Sequence, residues 1–134
     1  MNLQARHAYS AGLLDGEGTV VIRKDGMVHM EMSNTFLPAV DYMASMYGGT
    51  VHARKLRNGW RQSYVWQVRG QLACLALEQM LPFLLIKREQ AKLAIQYRAD
   101  KIVLPRKDKA ARQCELDRRE KIRLAISNLN QGVS

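Results

Sequence analysis

The chain has 134 residues, a formal net charge of +9, 47% hydrophobic and 25% charged residues, and an isoelectric point near 9.9. That length fits one domain with a modest core, and that charge points to a polyanion or an anionic surface as partner. The longest apolar run, Leu81 to Ile86, contains Pro82 and falls far short of the roughly 20 residues of a membrane span, so no membrane partner is expected. The N-terminus carries Arg6 and His7 and no apolar h-region. A cytoplasmic or organelle-matrix location is expected, not secretion. Cys74 and Cys114 have no companion cysteines, which fits neither a zinc cluster nor a disulfide framework. Both read as reduced thiols, Cys74 buried.

In chain order, residues 5–15 form a helix that breaks at a glycine-rich end, and residues 18–24 follow at once as a strand. Asp25-Gly26 is a tight hairpin signal. Residues 27–34 return as a second strand, with Val28, Met30 and Met32 alternating against His29, Glu31 and Ser33. Pro38 opens a helix to about Tyr47, which Gly48-Gly49 ends. Residues 50–56 and 61–69 are two further strands around an Asn58-Gly59 turn. A helix covers about Gln71 to Leu81, and Pro82 starts another that runs to about Asp100. Residues 101–109 form a basic linker, and the last helix covers roughly 110–128. Two hairpins alternating with helices make an α+β domain, with an αββαββα core, a four-stranded antiparallel sheet, helices on one face, and C-terminal helices added. Residues 1–100 are read as the domain, and 101–134 as a basic linker and helix packed on it.

The sheet buries one face under these helices. The other presents Thr19, Val21, Arg23, His29, Glu31, Ser33, Thr50, His52, Arg54, Ser63, Val65, Gln67 and Arg69, with Arg57 and Arg61 at the hairpin ends. Glu31 is its single acid. Arg, Gln, Ser, Thr and His are the donors and acceptors suited to base edges and phosphates, and strands lie in the major groove as helices do. Double-stranded DNA is the expected partner, with no small-molecule substrate.

In the first helix Ala8, Gly12 and Gly16 are spaced four apart and share one face. A stripe without side chains lets a second helix approach closely. The following turn delivers Asp15 and Glu17 to the bottom of such a pair, where four carboxylates crowd together unless a cation offsets them. The stretch Ser10-Ala11-Gly12-Leu13-Leu14-Asp15-Gly16-Glu17-Gly18 resembles the signature nonapeptide of the LAGLIDADG homing endonucleases. It departs at Ser10, where the family usually has leucine, and at Glu17, where aspartate is commonest. Further on, Arg61 to Gly70 and Leu81 to Leu93, with Lys87-Arg88-Glu89-Gln90-Ala91, resemble the family's second half, its Lys-x-x-Gln-Ala segment included. The resemblance covers residues 8 to about 97.

It implies a homodimer of the single-motif type, joined through Ala8, Ala11, Gly12, Asp15 and Gly16, with two sheets forming a saddle over the duplex. It implies double-strand cleavage of a long pseudo-palindromic site, in the service of intron homing. Glu17 and the Gly16 carbonyl would hold Mg²⁺; Mn²⁺ or Ca²⁺ can take the same ligands, Ca²⁺ without cleavage. Lys87 would stand near the scissile phosphate, Asn34 would position the attacking water, and Asp15 would tie the helix end to its surroundings. Pro38 stands about where some members carry a further arginine, with Arg61 or Arg69 as substitutes. The rival readings are a cleavage-deficient member acting as intron RNA maturase or DNA-binding regulator, and a structural protein that only dimerises. Glu17 argues against the first, because a pure binder needs no carboxylate beside phosphate, and the basic sheet face argues against the second.

Overall fold

The computed structural model describes residues 1–54, 59 and 61–132. Helix α1, Leu3–Glu17, is capped by Asn2, whose side chain accepts the Ala5 amide. Its inward stripe is His7, Ser10, Ala11 and Leu14, the spacing of one helix face. Ser10 is fully buried where an apolar residue would ordinarily sit, and its hydroxyl is satisfied by donating to the Arg6 carbonyl at 2.9 Å. The helix passes into the sheet without a loop. Gly18 makes this possible: a Cβ there would lie 2.3 Å from Leu14 Cδ1 and 3.1 Å from the Glu31 carbonyl oxygen.

Strands β1 (Gly18–Ile22), β2 (Val28–Asn34), β3 (Thr50–Ala53) and β4 (Tyr64–Arg69) form an antiparallel sheet ordered β1-β2-β4-β3. Val20, Ile22, Val28, Met30, Met32, Trp66 and Val68 face the core, as the alternation predicts. Helices α2 (Leu37–Tyr47), α3 (Gln71–Met80) and α4 (Arg88–Asp100) enclose them. Trp66 has no exposed surface and donates its indole N–H to the Gly48 carbonyl at 2.7 Å, which resolves the usual conflict in burying tryptophan. Each large side chain buried here stabilises by about 1.5–3 kcal/mol.

The expected helix from Pro82 to Asp100 is corrected. Leu81–Phe83 is a 3-10 turn, Leu84 is extended, and α4 begins only at Arg88. The cause is distant in sequence: the Asp15 carboxylate accepts the backbone amides of Leu85 and Lys87 at 2.8 and 3.0 Å. Those amides are engaged in a tertiary contact and the segment cannot coil through it.

Helix α5, Lys109–Asn130, packs on α4 and β1. Asn130 donates to the Val20 carbonyl at 2.8 Å, which occupies part of the edge that β1 would otherwise leave open. Buried Glu115 accepts from Arg118 and Arg119, and Arg119 also holds the Ile102 carbonyl at 2.7 Å. The Arg118 hydrogen bond, foremost, draws the Glu115 carboxyl down to about 2 against the opposing effect of burial. Tyr97 donates to the Gly26 carbonyl at 2.7 Å, so α4 holds the tip of the β1–β2 hairpin. Among the described residues no helix is long and apolar enough to cross a membrane, and Cys74 is buried and Cys114 exposed, both unbridged.

Candidate functional site

The C-terminal end of α1 gathers four of the residues singled out above. Asn34 ends β2 and donates from Nδ2 to Glu17 Oε2 at 2.5 Å, while its Oδ1 accepts the Phe36 amide at 2.8 Å. The side-chain amide is therefore engaged at both ends. In this arrangement it orients Glu17, and one N–H of the amide stays available for the expected hold on a water. Lys87 donates from Nζ to the Asp15 carbonyl at 2.9 Å. An ammonium group at the end of a helix also meets the negative pole of its dipole. Asp15 is spoken for by the Leu85 and Lys87 amides, as a residue tying the helix end to its surroundings. Glu17 is exposed, and among the described residues one of its carboxylate oxygens is outside any hydrogen bond.

The small-residue stripe lies open. Gly12 and Gly16 are exposed, and a Cβ built on either would meet nothing within 4 Å. Ala8 is half-buried beside them. Ala11 is a correction: it is fully buried in the chain's own core, one residue and about 100° of helix round from Gly12, so it cannot line a contact with another molecule. Asp15, also expected at that contact, is half-buried and committed within its own chain.

No group of three or more His, Cys, Asp or Glu residues that could hold a metal occurs among the described residues. Among the described residues at this helix end, Glu17 is the carboxylate available to a metal. This donor set fits Mg²⁺, which takes one or two carboxylates and fills the rest of its octahedron with water and phosphate oxygens. It does not fit zinc, which asks for three or four nitrogen or sulfur ligands.

On the open sheet face, Thr19, Arg23, Thr50, His52, Arg54 and Arg69 are exposed, and Val21, Glu31, Ser33, Ser63 and Gln67 half-buried. Two expected contacts are corrected. Val65 is 3% and His29 4% exposed, because each stands on a central strand. Val65 is flanked by Ser33 and His52, and His29 by Val21 and Arg69. They form the floor of the face. Arg57 lies outside the described residues. Polar side chains there are cross-braced: Gln67 Nε2 stands 3.3 Å from His52 Nδ1, and His29 Nε2 stands 3.3 Å from Arg23 Nη2 and 3.4 Å from Glu31 Oε2.

Pro38 occupies the first turn of α2 and supplies no cation. Arg69 cannot supply it either: it pairs with His29, whereas Asn34 pairs with Tyr64, a separation of five strand residues or about 16 Å. Arg61 is exposed and precedes β4 at the Asn34 end of the sheet.

Two features are not expected from sequence, the Asn34–Glu17 bond and the Arg23–His29–Glu31 chain. Asn34 and Glu17 each stand out there, but nothing along the chain joins them. The alternation of β2 does place His29 and Glu31 on one face.

Neither a protein-family model nor a curated protein sequence matches the chain. Solved structures do. The homing endonuclease I-CvuI, in complex with its target in the presence of calcium, is similar with a TM-score of 0.71 and 24% identity, over 95% of this chain and 83% of that one. The archaeal intron-encoded homing endonuclease I-Vdi141I, complexed with DNA, is similar with a TM-score of 0.53 and 12% identity, over 87% and 98%. A single-site mutant of I-SmaMI gives a TM-score of 0.59 and 16% identity, over 94% of this chain but 44% of that one. The fold is the α+β homing-endonuclease fold that the nonapeptide implies.

Proposed function

We propose that this chain is a homing endonuclease of the LAGLIDADG type, a homodimer that makes a double-strand break in a long, pseudo-palindromic DNA site by metal-dependent phosphodiester hydrolysis. The observation that carries the reading is Glu17 held by Asn34 at the end of α1, where the open glycine stripe and the basic sheet face meet. A second copy pressed on Gly12 and Gly16 would bring a second Glu17 to the first. The short coverage of I-SmaMI is in keeping with two such units making one working molecule. A symmetric dimer reads a site of matching symmetry. We place the protein in the cytoplasm or an organelle matrix.

Glu17 and the Gly16 carbonyl would hold Mg²⁺, which supplies activation of water and charge neutralisation at the phosphate when bound. The chain's own residues do the rest. Asn34 fixes the rotation of the Glu17 carboxylate. Lys87 puts a cation beside the reacting phosphate, where developing negative charge is greatest. The sheet face sets the register of the duplex through Arg23, Arg54, Gln67 and Arg69.

One observation favours a second reading, a cleavage-deficient binder acting as maturase or regulator: Pro38 leaves no guanidinium at the first turn of α2. A single experiment separates the two. A randomised duplex library is incubated with the chain in Mg²⁺, in Ca²⁺ and in EDTA, and the ends produced are sequenced. Cleavage in Mg²⁺ alone, lost in Glu17→Gln while duplex binding persists, is the expected result. Binding with no cut ends in Mg²⁺ would establish the binder instead.

A further inference from the structure

At the end of the sheet remote from Glu17, a cleft of about 580 Å³ opens among Arg23, His29, Gln67, Arg69, Gln71 and Leu72. We infer that this cleft is a phosphate-binding notch that grips the DNA backbone outside the base-reading face. The inference rests on the duplex-binding reading above.

Three independent features converge there. The first is charge. Arg23 and Arg69 are both exposed, and none of the described residues that line the cleft is an acid. The second is the start of α3. Its cap is Gly70, which has no side chain to accept the first-turn amides, and that turn carries no acid. Gln71 and Leu72, the first two residues of this 10-residue helix, line the cleft. Helix amides left unpaired at an N-terminus, with the dipole behind them, favour an anion. Gly70 holds φ +68°, and a Cβ there would lie 2.9 Å from Met27 Cε, so the turn demands glycine and cannot carry a capping side chain. The third is His29. It is 4% exposed, and its Nδ1 is the one buried side-chain nitrogen or oxygen among the described residues without a hydrogen-bond partner. Its Nε2 stands within reach of Arg23 and of Glu31, which is outside the cleft; where Nε2 accepts from Arg23, the proton is on Nδ1 and makes it a donor. A buried ring nitrogen without a partner on the wall of a cleft is a group whose cost a bound ligand would relieve.

The chemistry selects phosphate over a base edge. Guanidinium groups bind guanine O6 and N7 as well as phosphate, so the selection comes from the helix N-terminus, whose convergent amides and dipole favour an anion. Arginine's fork matches the phosphate oxygens in particular. Because the cleft continues the open face at its outer end, the phosphate that reaches it belongs to the flank of the duplex.

The test uses the full chain and a short duplex of arbitrary sequence. Arg69→Gln is expected to weaken binding equally across sequences and to reduce the slope of log K against log salt by about one per notch. Lys92→Gln on α4 is expected to leave both unchanged. In amide NMR spectra, Gln71 and Leu72 are expected to shift on duplex addition and to return in high salt. An Arg69→Gln slope equal to wild type, with Gln71 unmoved while Arg54→Gln weakens binding, would overturn the notch and leave the duplex-binding reading standing. Altered base preference at unchanged slope would make Arg69 a base reader and overturn it as well. A deoxynucleoside monophosphate that shifts Gln71 and Leu72 as strongly as the duplex would show a free-nucleotide pocket instead. No duplex binding by the wild type would remove both readings.

Discussion

Replacing Gly12 by leucine separates the stability of the chain from its self-association. Within one chain the substitution is benign. Gly12 is exposed, a Cβ there meets nothing within 4 Å, and φ at this position is helical, since Gly12 is not among the positive-φ glycines. Glycine in a helix interior is about 0.8 kcal/mol less favourable than leucine, so the isolated subunit should gain roughly that much. In the proposed dimer the outcome reverses. Helices with ordinary side chains at their crossing stand about 8–10 Å apart, and a glycine stripe serves to bring them closer. A leucine inserted there overpacks the contact at a cost of about 1–3 kcal/mol, and two-fold symmetry inserts it twice. The sum, about 2–6 kcal/mol, weakens the dimer roughly 30-fold to 20,000-fold.

Sedimentation velocity over a protein concentration series reads the dimer, and urea unfolding at a concentration where the wild type is monomeric reads the subunit. The expected pattern is a higher unfolding midpoint together with dimers lost to well beyond the wild-type concentration range, and double-strand cleavage lost with them. If Gly12→Leu dimerises as tightly as wild type, the crossing lies elsewhere on the molecule and the placement of the paired Glu17 carboxylates is wrong. A lowered unfolding midpoint would mean that the chain covers this face itself.

Other substitutions probe the anchoring of the site. Asp15→Asn keeps the shape of the side chain but turns an amine toward one of the two amides it now accepts; losing a charge-assisted bond should cost about 1.5–3 kcal/mol in chemical denaturation, and a loss below about 0.5 kcal/mol would contradict the geometry. Asn34→Ala frees the Glu17 carboxylate to rotate, so cleavage should fall at least about tenfold while duplex affinity measured in Ca²⁺ stays within about twofold; equal losses in both would indicate a DNA contact instead. Glu115 has its pKa depressed to about 2, so its contribution to stability is present above the ordinary carboxylate range and is lost as pH falls through that range toward 2. Glu115→Gln should accordingly flatten the acid limb of the stability profile between about pH 4.5 and 2; an unchanged limb would show that this clamp does not govern acid unfolding.

The parts of this fold that can be read from sequence are those set by short-range periodicity. Val28, Met30 and Met32 alternate with polar neighbours, and that alternation alone assigns β2 its two faces. The four-residue spacing of Ala8, Gly12 and Gly16 likewise identifies a bare helical stripe. What escapes depends on partners far away along the chain. The segment from Pro82 on looks like helix, but Asp15, some 70 positions earlier, captures the amides of Leu85 and Lys87 and the helix starts only after them. The resemblance puts Ala11 at the contact with a second copy, although its helical phase belongs to His7 and Leu14. His29 and Val65 read as surface residues because alternation gives the face but not the depth, and depth depends on which strands flank them.

The same distinction bears on the chemistry. Glu17, Asn34 and Lys87 are each legible as residues, but their division of labour follows from hydrogen bonds that join three separate elements at one helix end. Asn34 holds Glu17 with one N–H while its oxygen accepts the Phe36 amide, so its second N–H is the group it has left for a water. Lys87 anchors to the Asp15 carbonyl, so its charge is fixed to the motif helix and moves with it. With Pro38 at the head of α2 and Arg69 about 16 Å along the sheet, Lys87 is the described cation bonded directly to this helix end. Transition-state charge not met there falls to exposed Arg61 at the Asn34 end of the sheet and, in the proposed dimer, to a bound cation and the second copy's residues. Activity should therefore fall off with dilution more steeply than DNA binding by the single sheet does, and parallel dilution curves for the two would argue that one chain suffices.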